Sequence, residues 1–499
     1  MKHFLIIPLG GKGQRFVDAG YKVYKPFLKI NKDKSIIDDI VNNFENKHCE
    51  IILVGNTKRY QSNNLDTKKK IHIINIKKHT SGPLFSIFLA ANKIKEIVGN
   101  NSLFIVYSDI NWSWNFKEIK KNIFNKDIVI FTHQNFHPHL EVDSKSDFCS
   151  KKNKDQINDI SQKKTISKTY QKDLLAIGCY YFSNFNIIEN FFKTKNILPK
   201  AKKELYLTSL IKFLIQKKQK IFYKTIKNFV HLGFPAQYED FLNWRNIILN
   251  NFNTSLELNY TNIMLMAGQG KRVKKLKELK PFLKIKNNKI YKFIFQKFGS
   301  KNNIIITQKK LAKKIKNRNL KFYIIKKTNS MFSTVKNSRQ LFDKHKKFFL
   351  TSCDCFGEFD KKKFNKFLKK NKPDLVIFGY KFTNLQKHLT NSHTALELKK
   401  GKLVNINVKR NSKTSLIGHA GFFWVGNNKI FEKIENFSAS VNLEREVIID
   451  DYFKYLFDNN KFKISYYKLD SYVHIGSVLE YKEFKYWENY FLNENRKFN

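Results

Sequence analysis

An apolar run that ends in clustered glycines occurs twice in this chain, in the same company each time. Phe4-Leu5-Ile6-Ile7 leads into Pro8-Leu9-Gly10-Gly11-Lys12-Gly13-Gln14-Arg15-Phe16, and Lys25-Pro26-Phe27-Leu28-Lys29-Ile30 follows. Asn262-Ile263-Met264-Leu265-Met266-Ala267 leads into Gly268-Gln269-Gly270-Lys271-Arg272, and Lys280-Pro281-Phe282-Leu283-Lys284-Ile285 follows. Arg272 stands 257 residues after Arg15, and Lys280 stands 255 after Lys25. The spacing persists further along: Asp354 follows Asp109 by 245 residues and His474 follows His231 by 243. The chain therefore reads as two copies of one domain: residues 1–249, a polar linker over 250–259 that starts Asn250-Asn251-Phe252-Asn253-Thr254-Ser255, and residues 260–499. A length of 499 residues also exceeds what one hydrophobic core organises.

Clustered glycines after a buried strand let the backbone turn sharply and bring its N–H groups against an anion, because no Cβ intervenes. Arg15 and Lys25 place positive charge on either side of that turn. This combination predicts a polyphosphate site at the carboxyl edge of a sheet. A Walker A loop is excluded by spacing, and the dinucleotide fingerprint needs a small residue where Phe16 stands. A plain structural turn is the bland alternative, and the repeated Arg and Lys-Pro argue against it.

Between these motifs, strand-like and helix-like runs alternate. Phe27 to Ile30 reads as a short strand, Ile36 to Phe44 has helical spacing behind Ser35, Glu50 to Val54 and Ile71 to Ile76 read as strands, and Leu84 to Ile97 reads as one apolar helix. The alternation predicts an α/β fold built on a doubly wound, mostly parallel sheet. Strand Leu103 to Tyr107 ends in Ser108-Asp109, and strand Phe348 to Leu350 leads to Ser352-Cys353-Asp354. A carboxylate at that edge lies beside the phosphate loop and suits Mg²⁺, a hard ion that favours oxygen donors.

The 94 Lys and Arg against 41 Asp and Glu, a formal +53, call for an acidic partner. The lysines are spread through both halves without a basic tail, so the charge is read as a compositional bias that favours phosphorylated small substrates and not as a nucleic-acid footprint. Five cysteines, odd in number and without a Cys-x-x-Cys pair, fit a reducing compartment, and the cytoplasm is the expected location. Cys353 and Cys355 would share a face, the weak beginning of a thiolate metal site. The apolar run at the start ends in the glycine loop and is not read as a signal peptide; no apolar run approaches the roughly 20 residues that span a bilayer.

Gly-Gly-x-Gly-x-Arg followed by Lys-Pro resembles the signature of the sugar-phosphate nucleotidyltransferases, the nucleoside-diphosphate-sugar pyrophosphorylases, here in two tandem copies. The resemblance implies a Rossmann-like, GT-A-like domain. It also implies transfer of a nucleoside monophosphate from a nucleoside triphosphate to a phosphorylated acceptor, with release of pyrophosphate, as in nucleotide-sugar or surface-polysaccharide biosynthesis. By the same resemblance Leu9, Gly10, Gly11, Gly13, Gly268 and Gly270 hold the nucleotide, and Arg15, Lys25, Arg272 and Lys280 are catalytic. Thr80-Ser81-Gly82 matches the base-contacting loop, whose counterpart Thr328-Asn329-Ser330 lacks the glycine. Asp109 and Asp354 match the Mg²⁺ ligand. His231 and His474 stand where the family often has a second metal-ligating Asp.

Lys163, after Gln162 where the family has Glu, is matched to the substrate phosphate together with Lys409. So is Glu204, within Ala201-Lys202-Lys203-Glu204-Leu205-Tyr206-Leu207-Thr208, which is expected to open a helix. Val408-Lys409-Arg410 and Glu446 are the corresponding features of the second copy, whose site is expected to work or to have worked recently. Two other functions compete. A GT-A-type glycosyltransferase could pair Asp109 with Asn111 on a metal, and a non-catalytic nucleotide- or nucleic-acid-binding protein could use the same fold.

Overall fold

The computed structural model of the protein describes residues 2–44, 48–56, 65–195, 204–251, 254–315, 320–389, 393–409 and 417–495. Of the motif residues above, Ala201, Lys202, Lys203, Phe252, Asn253 and Arg410 lie outside the described residues. The chain forms two compact units that divide between Leu242 and Asn243.

In the first unit the strands are β1 (His3–Leu9), β2 (Cys49–Gly55), β3 (Ile71–Asn75), β4 (Ser102–Val106), β5 (Ile110–Ser113), β6 (Ile128–His133), β7 (Phe148–Lys151), β8 (Ile157–Ser161), β9 (Leu174–Phe182), β10 (Phe222–Thr225) and β11 (Asn228–His231). The main sheet runs β10-β6-β9-β4-β1-β2-β3, with β7 and β8 attached at β9. Pairings β1 with β2, β1 with β4, β2 with β3 and β6 with β10 are parallel, whereas β9 runs antiparallel to β4 and β6. All seven residues of β1 are buried, as a strand covered on both faces requires. Helices such as Pro83–Leu89 and Leu207–Gln216 supply Leu84, Ile87, Leu207, Leu210 and Ile211 to one core with Phe4, Ile6, Ile105 and Tyr180.

The second unit repeats this plan. Its strands are β12 (Thr261–Met266), β13 (Lys284–Ile285), β14 (Asn288–Lys289), β15 (Asn303–Thr307), β16 (Lys321–Ile324), β17 (Phe348–Ser352), β18 (Cys355–Glu358), β19 (Leu375–Lys381), β20 (Ala395–Lys399), β21 (Lys402–Asn407), β22 (Ile417–Val425), β23 (Ile464–Lys468) and β24 (Ser471–His474). The sheet order β23-β19-β22-β17-β12-β15-β16 matches the first unit strand for strand, and the two-stranded ribbon β18-β24 matches β5-β11. The protein is thus two tandem doubly wound, mostly parallel α/β units.

Local expectations were corrected at four places. Phe27 to Ile30 is not a strand: Lys25–Phe27 make one 3-10 turn started by Pro26, and only Lys29 bridges to Ser35. The helix expected over Leu84 to Ile97 breaks at Ala90 into Pro83–Leu89 and Ala91–Val98. The helix expected to open at Ala201 starts at Leu207, so Glu204 precedes it and is not its cap. The unit division precedes the expected linker, because Trp244 stacks on Trp487 and Ile247 and Ile248 are buried. Those apolar side chains hold 244–248 against the helix Val478–Asn495 of the second unit. Among the described residues no helix is long and apolar enough to cross a membrane.

Candidate active site

The site of the first unit begins where β1 ends. Gly13 takes a left-handed φ of 67° and caps the short helix Gln14–Asp18, so Gly10 to Gly13 make the tight turn that the sequence predicts. The Tyr24 hydroxyl donates to the Gly11 carbonyl at 2.7 Å and props the turn from below. Parallel pairing of Gly11 with His79 ties the turn to the next loop, and the His79 Nε2 sits 2.8 Å from Ser86 Oγ. Burial lowers the His79 pKa and keeps this imidazole neutral as a hydrogen-bonding group.

The Lys25-Pro26 turn sends the Lys25 Nζ to within 3.2 Å of Asp109 Oδ2. Asp109 lies between β4 and β5, and β11 pairs with β5 so that His231 sits opposite Ile110. Burial pushes the Asp109 carboxyl up, but the Lys25 ammonium beside it, with His231, outweighs this and holds it below its ordinary value. Arg15 reaches the same neighbourhood. Its guanidinium lies 4.2 Å above the Phe234 ring, and the adjoining Gly233 Cα is backed by Asp109 Oδ2, 3.4 Å from where a Cβ would stand. The turn, Arg15, Lys25, Asp109 and His231 are therefore brought to one edge of the sheet.

A second group of predicted residues gathers alongside. Lys163, held at a φ of 52°, puts its Nζ 2.9 Å from Glu204 Oε2 and 4.9 Å from the Tyr206 ring centroid. Its backbone N–H donates to Asp147, whose other oxygen accepts from the Thr208 hydroxyl. The Thr80-Ser81-Gly82 loop joins this group to the glycine turn: Leu205 N–H donates to the Ser81 carbonyl, and Leu84 N–H donates to Leu205. Gly82 has a φ of 89°, and a Cβ there would stand 2.6 Å from the Leu205 carbonyl oxygen.

In the second unit Gly270 repeats the left-handed turn at a φ of 63°. Gly268 pairs with Thr328, whose hydroxyl bonds Thr334 where His79 bonds Ser86. Ser330 caps the following helix in place of Gly82, and the intervening loop is one residue shorter. Lys280 is ion-paired with Asp354, and the Ser352 hydroxyl donates to that carboxylate. Burial raises the Asp354 carboxyl, but Lys280 and His474 hold it well below the usual carboxylate range. Lys409 takes a φ of 49° and its N–H donates to Thr394, so its backbone repeats Lys163. Glu446 is exposed. The Cys355 thiol is pushed up to about 12 by burial and lies 3.0 Å from Ser352 Oγ, which argues against a thiolate metal site at Cys353 and Cys355.

Several contributors carry no sequence motif. His79, Ser86, Asp147 and Phe234 in the first unit, and His393 and Glu480 in the second, are brought in by tertiary contacts. One signal was available: six residues after the paired histidines, Gln237 of the first copy answers to Glu480 of the second.

The acid side of this site has a testable titration. Burial lowers the His231 pKa to about 4 against an ordinary 6.5, with Asp109 opposing and His139 and His133 adding to the shift. Between those values the unfolded chain holds a proton that the folded chain does not, so stability falls as pH drops from 6.5 toward 4. Burial of His133 and His137 acts in the same direction. The urea midpoint should fall across that window, and less steeply in His231→Asn. An equal slope in parent and variant would remove His231 from this account.

No family model matches the chain, and no curated protein does. Among solved structures the chain is similar to the nucleoside-diphosphate-sugar pyrophosphorylase from Vibrio cholerae RC9, at 21% identity and a TM-score of 0.39, over 48% of this chain and 99% of that one. It is similar to the inositol-1-phosphate CTP transferase from T. maritima at 13% identity and a TM-score of 0.38, over 47% and 97%. It is also similar to a UDP-glucose pyrophosphorylase complexed with UDP-glucose at 17% identity and a TM-score of 0.39, over 49% and 97%. The neighbours are nucleotidyltransferases, and each spans about half of this chain.

Proposed function

We propose that the first unit transfers a nucleoside monophosphate from a nucleoside triphosphate to a phosphorylated small molecule, a sugar phosphate or similar, and releases pyrophosphate. The observation that carries this reading is the Lys25 to Asp109 pair at 3.2 Å beside the Gly10 to Gly13 turn, with Arg15 held over Phe234 at its rim. Two polyanions must be brought together, so the task is electrostatic and positional, with no covalent protein intermediate. The backbone N–H groups of the turn and Arg15 would bind the triphosphate. Lys25 would offset the charge that grows on the leaving oxygens, and Lys163, steadied by Glu204 and Tyr206, would present the acceptor phosphate for attack on the α-phosphorus.

Asp109 fits Mg²⁺ as an ionised oxygen donor at a half-open position and would hold the ion together with oxygens of the bound phosphates. Bound there, the ion would supply neutralising charge across the reacting phosphates. His231, an imidazole nitrogen, suits Mg²⁺ poorly and is assigned a neighbouring, orienting place. In the second unit Lys280 and Asp354 repeat the pair, and Arg272, Lys409 and Gly268 to Gly270 would serve a second nucleotide with an altered base loop. The product would be a nucleotide-activated precursor for surface polysaccharide, made in the cytoplasm.

The glycosyltransferase alternative loses its second ligand, because Asn111 is buried and its amide donates to Asp39 at 2.8 Å. The deciding measurement is pyrophosphate release across the common nucleoside triphosphates and a panel of phosphate monoesters. One pair should turn over well above background. Cleavage of nucleotide sugars without any pyrophosphate-forming pair would overturn the assignment, as would salt-sensitive nucleic-acid binding with no turnover.

A further inference from the structure

Behind Asp354 the second unit gathers two histidines and a glutamate, a grouping that has no counterpart among the described residues of the first unit. We propose that His393, His474 and Glu480 form a binding site for a borderline divalent cation of the Zn²⁺ type. The inference does not depend on the transferase reading.

Three separate elements deliver the three side chains. His393 lies two residues before β20, His474 ends β24, and Glu480 lies in the first turn of the long helix Val478–Asn495. Glu480 Oε1 stands 2.7 Å from His474 Nδ1 and 3.3 Å from His393 Nε2, and one donor atom from each side chain falls within 4.8 Å of the others. Donors on a tetrahedral zinc, each at about 2.0–2.1 Å from the metal, are themselves about 3.3 Å apart. Small side-chain adjustments would therefore close the three donors round one ion, with a fourth position left for water.

The chemistry of the set discriminates among ions. Two imidazole nitrogens and one carboxylate oxygen suit Zn²⁺ or Co²⁺, whereas Mg²⁺ favours oxygen donors and water. The surrounding groups orient the ligands as metal sites require. The far nitrogen of His393, Nδ1, lies 3.5 Å from the Tyr380 hydroxyl, which leaves Nε2 turned to Glu480. The far nitrogen of His474, Nε2, lies 3.7 Å from Asp354 Oδ2, so an ion on Nδ1 would leave an N–H aimed at that carboxylate. The second carboxylate oxygen of Glu480 accepts from Ser477 Oγ at 2.9 Å.

Burial supplies an independent reason. The side chains of His393 and Glu480 are only 7% and 3% exposed, and a carboxylate in such surroundings needs positive charge close by. The corresponding position in the first unit carries Gln237, whose amide oxygen accepts from Gly233 and Phe234 N–H at 3.1 and 3.2 Å. A neutral amide serves the loop there. The carboxylate in the second unit faces His474 and His393 in addition to its own loop.

The full-length protein, stripped with a chelator and dialysed, is titrated with Co²⁺ and then with Zn²⁺. One Co²⁺ per chain is expected, with the visible absorption of a four-coordinate site, and Zn²⁺ should displace it while excess Mg²⁺ should not. Glu480→Gln and His393→Ala should each weaken binding about 100-fold or more, and His345→Ala should leave the stoichiometry unchanged. Failure of the parent protein to take up either ion at micromolar excess would overturn the proposal, as would folded Glu480→Gln and His393→Ala variants that bind like the parent. If the variants do not fold, X-ray absorption of the zinc-loaded parent decides: a shell with two imidazoles supports the site, and an oxygen-only shell refutes it.

Discussion

Lys25→Ala is expected to lower pyrophosphate release on the order of 10²-fold or more while leaving the melting temperature nearly unchanged. The ammonium is 3.2 Å from Asp109 and its side chain is 16% exposed, so it faces the site and not the core. Its stability contribution is that of a partly solvated ion pair, about 1 kcal/mol or less. In the proposed reaction its catalytic contribution is the larger one, because the ammonium would stand where negative charge grows and need no reorganisation at the moment of reaction. The measurement belongs in a Lys280→Ala background, so that the second unit cannot supply the signal. Arg15→Ala should behave alike, since its guanidinium rests on the exposed Phe234 and holds no core together. Turnover within threefold of the parent in both variants would take the loop out of the reaction.

Gly82→Ala is expected to be the most damaging single substitution at the first site, costing about 2 kcal/mol or more and lowering the melting temperature by several degrees. Its φ of 89° belongs to a region that side-chain-bearing residues avoid, and a Cβ would meet backbone at 2.6–2.7 Å, where no rotamer change gives relief. The strand of chain it would push is Leu205, adjoining Glu204 and Tyr206. The Michaelis constant for the phosphorylated acceptor should therefore rise together with the loss of stability. A variant as stable as the parent would show that the close packing of 81–84 on 205 is not needed.

The parts legible in the sequence are those written in consecutive residues. The glycine turns, Lys-Pro and the strand-end acids follow from local backbone needs, and a repeat at near-constant spacing exposes each of them twice. The parts that were not legible depend on what tertiary contact adds. Nothing local marks Phe234 as the platform for Arg15, or Asp147 as the acceptor that fixes Lys163. The polarity of 250–259 suggested a joint, yet the burial of Trp244, Ile247 and Ile248 places the division earlier. The helix break at Ala90 likewise has no glycine or proline to announce it. In the second unit His393 is 81 residues from His474, so only the folded chain shows them meeting at Glu480.

The lysine-positioning lock is wired in opposite senses in the two halves. In the first, Asp147 precedes its sheet strand and accepts from Thr208 on the helix; in the second, Thr394 precedes the strand and donates to Asp450 on the helix, which His419 also contacts at 3.2 Å. The partners lie 61 and 56 residues apart along the chain. A short tract of genetic sequence copied from one half to the other would carry one partner and leave its mate behind. The result would be two carboxylates facing each other away from water, or two hydroxyls with no acid between them. Such a tract would carry a cost in stability, so the two halves are expected to keep their own versions of this pair.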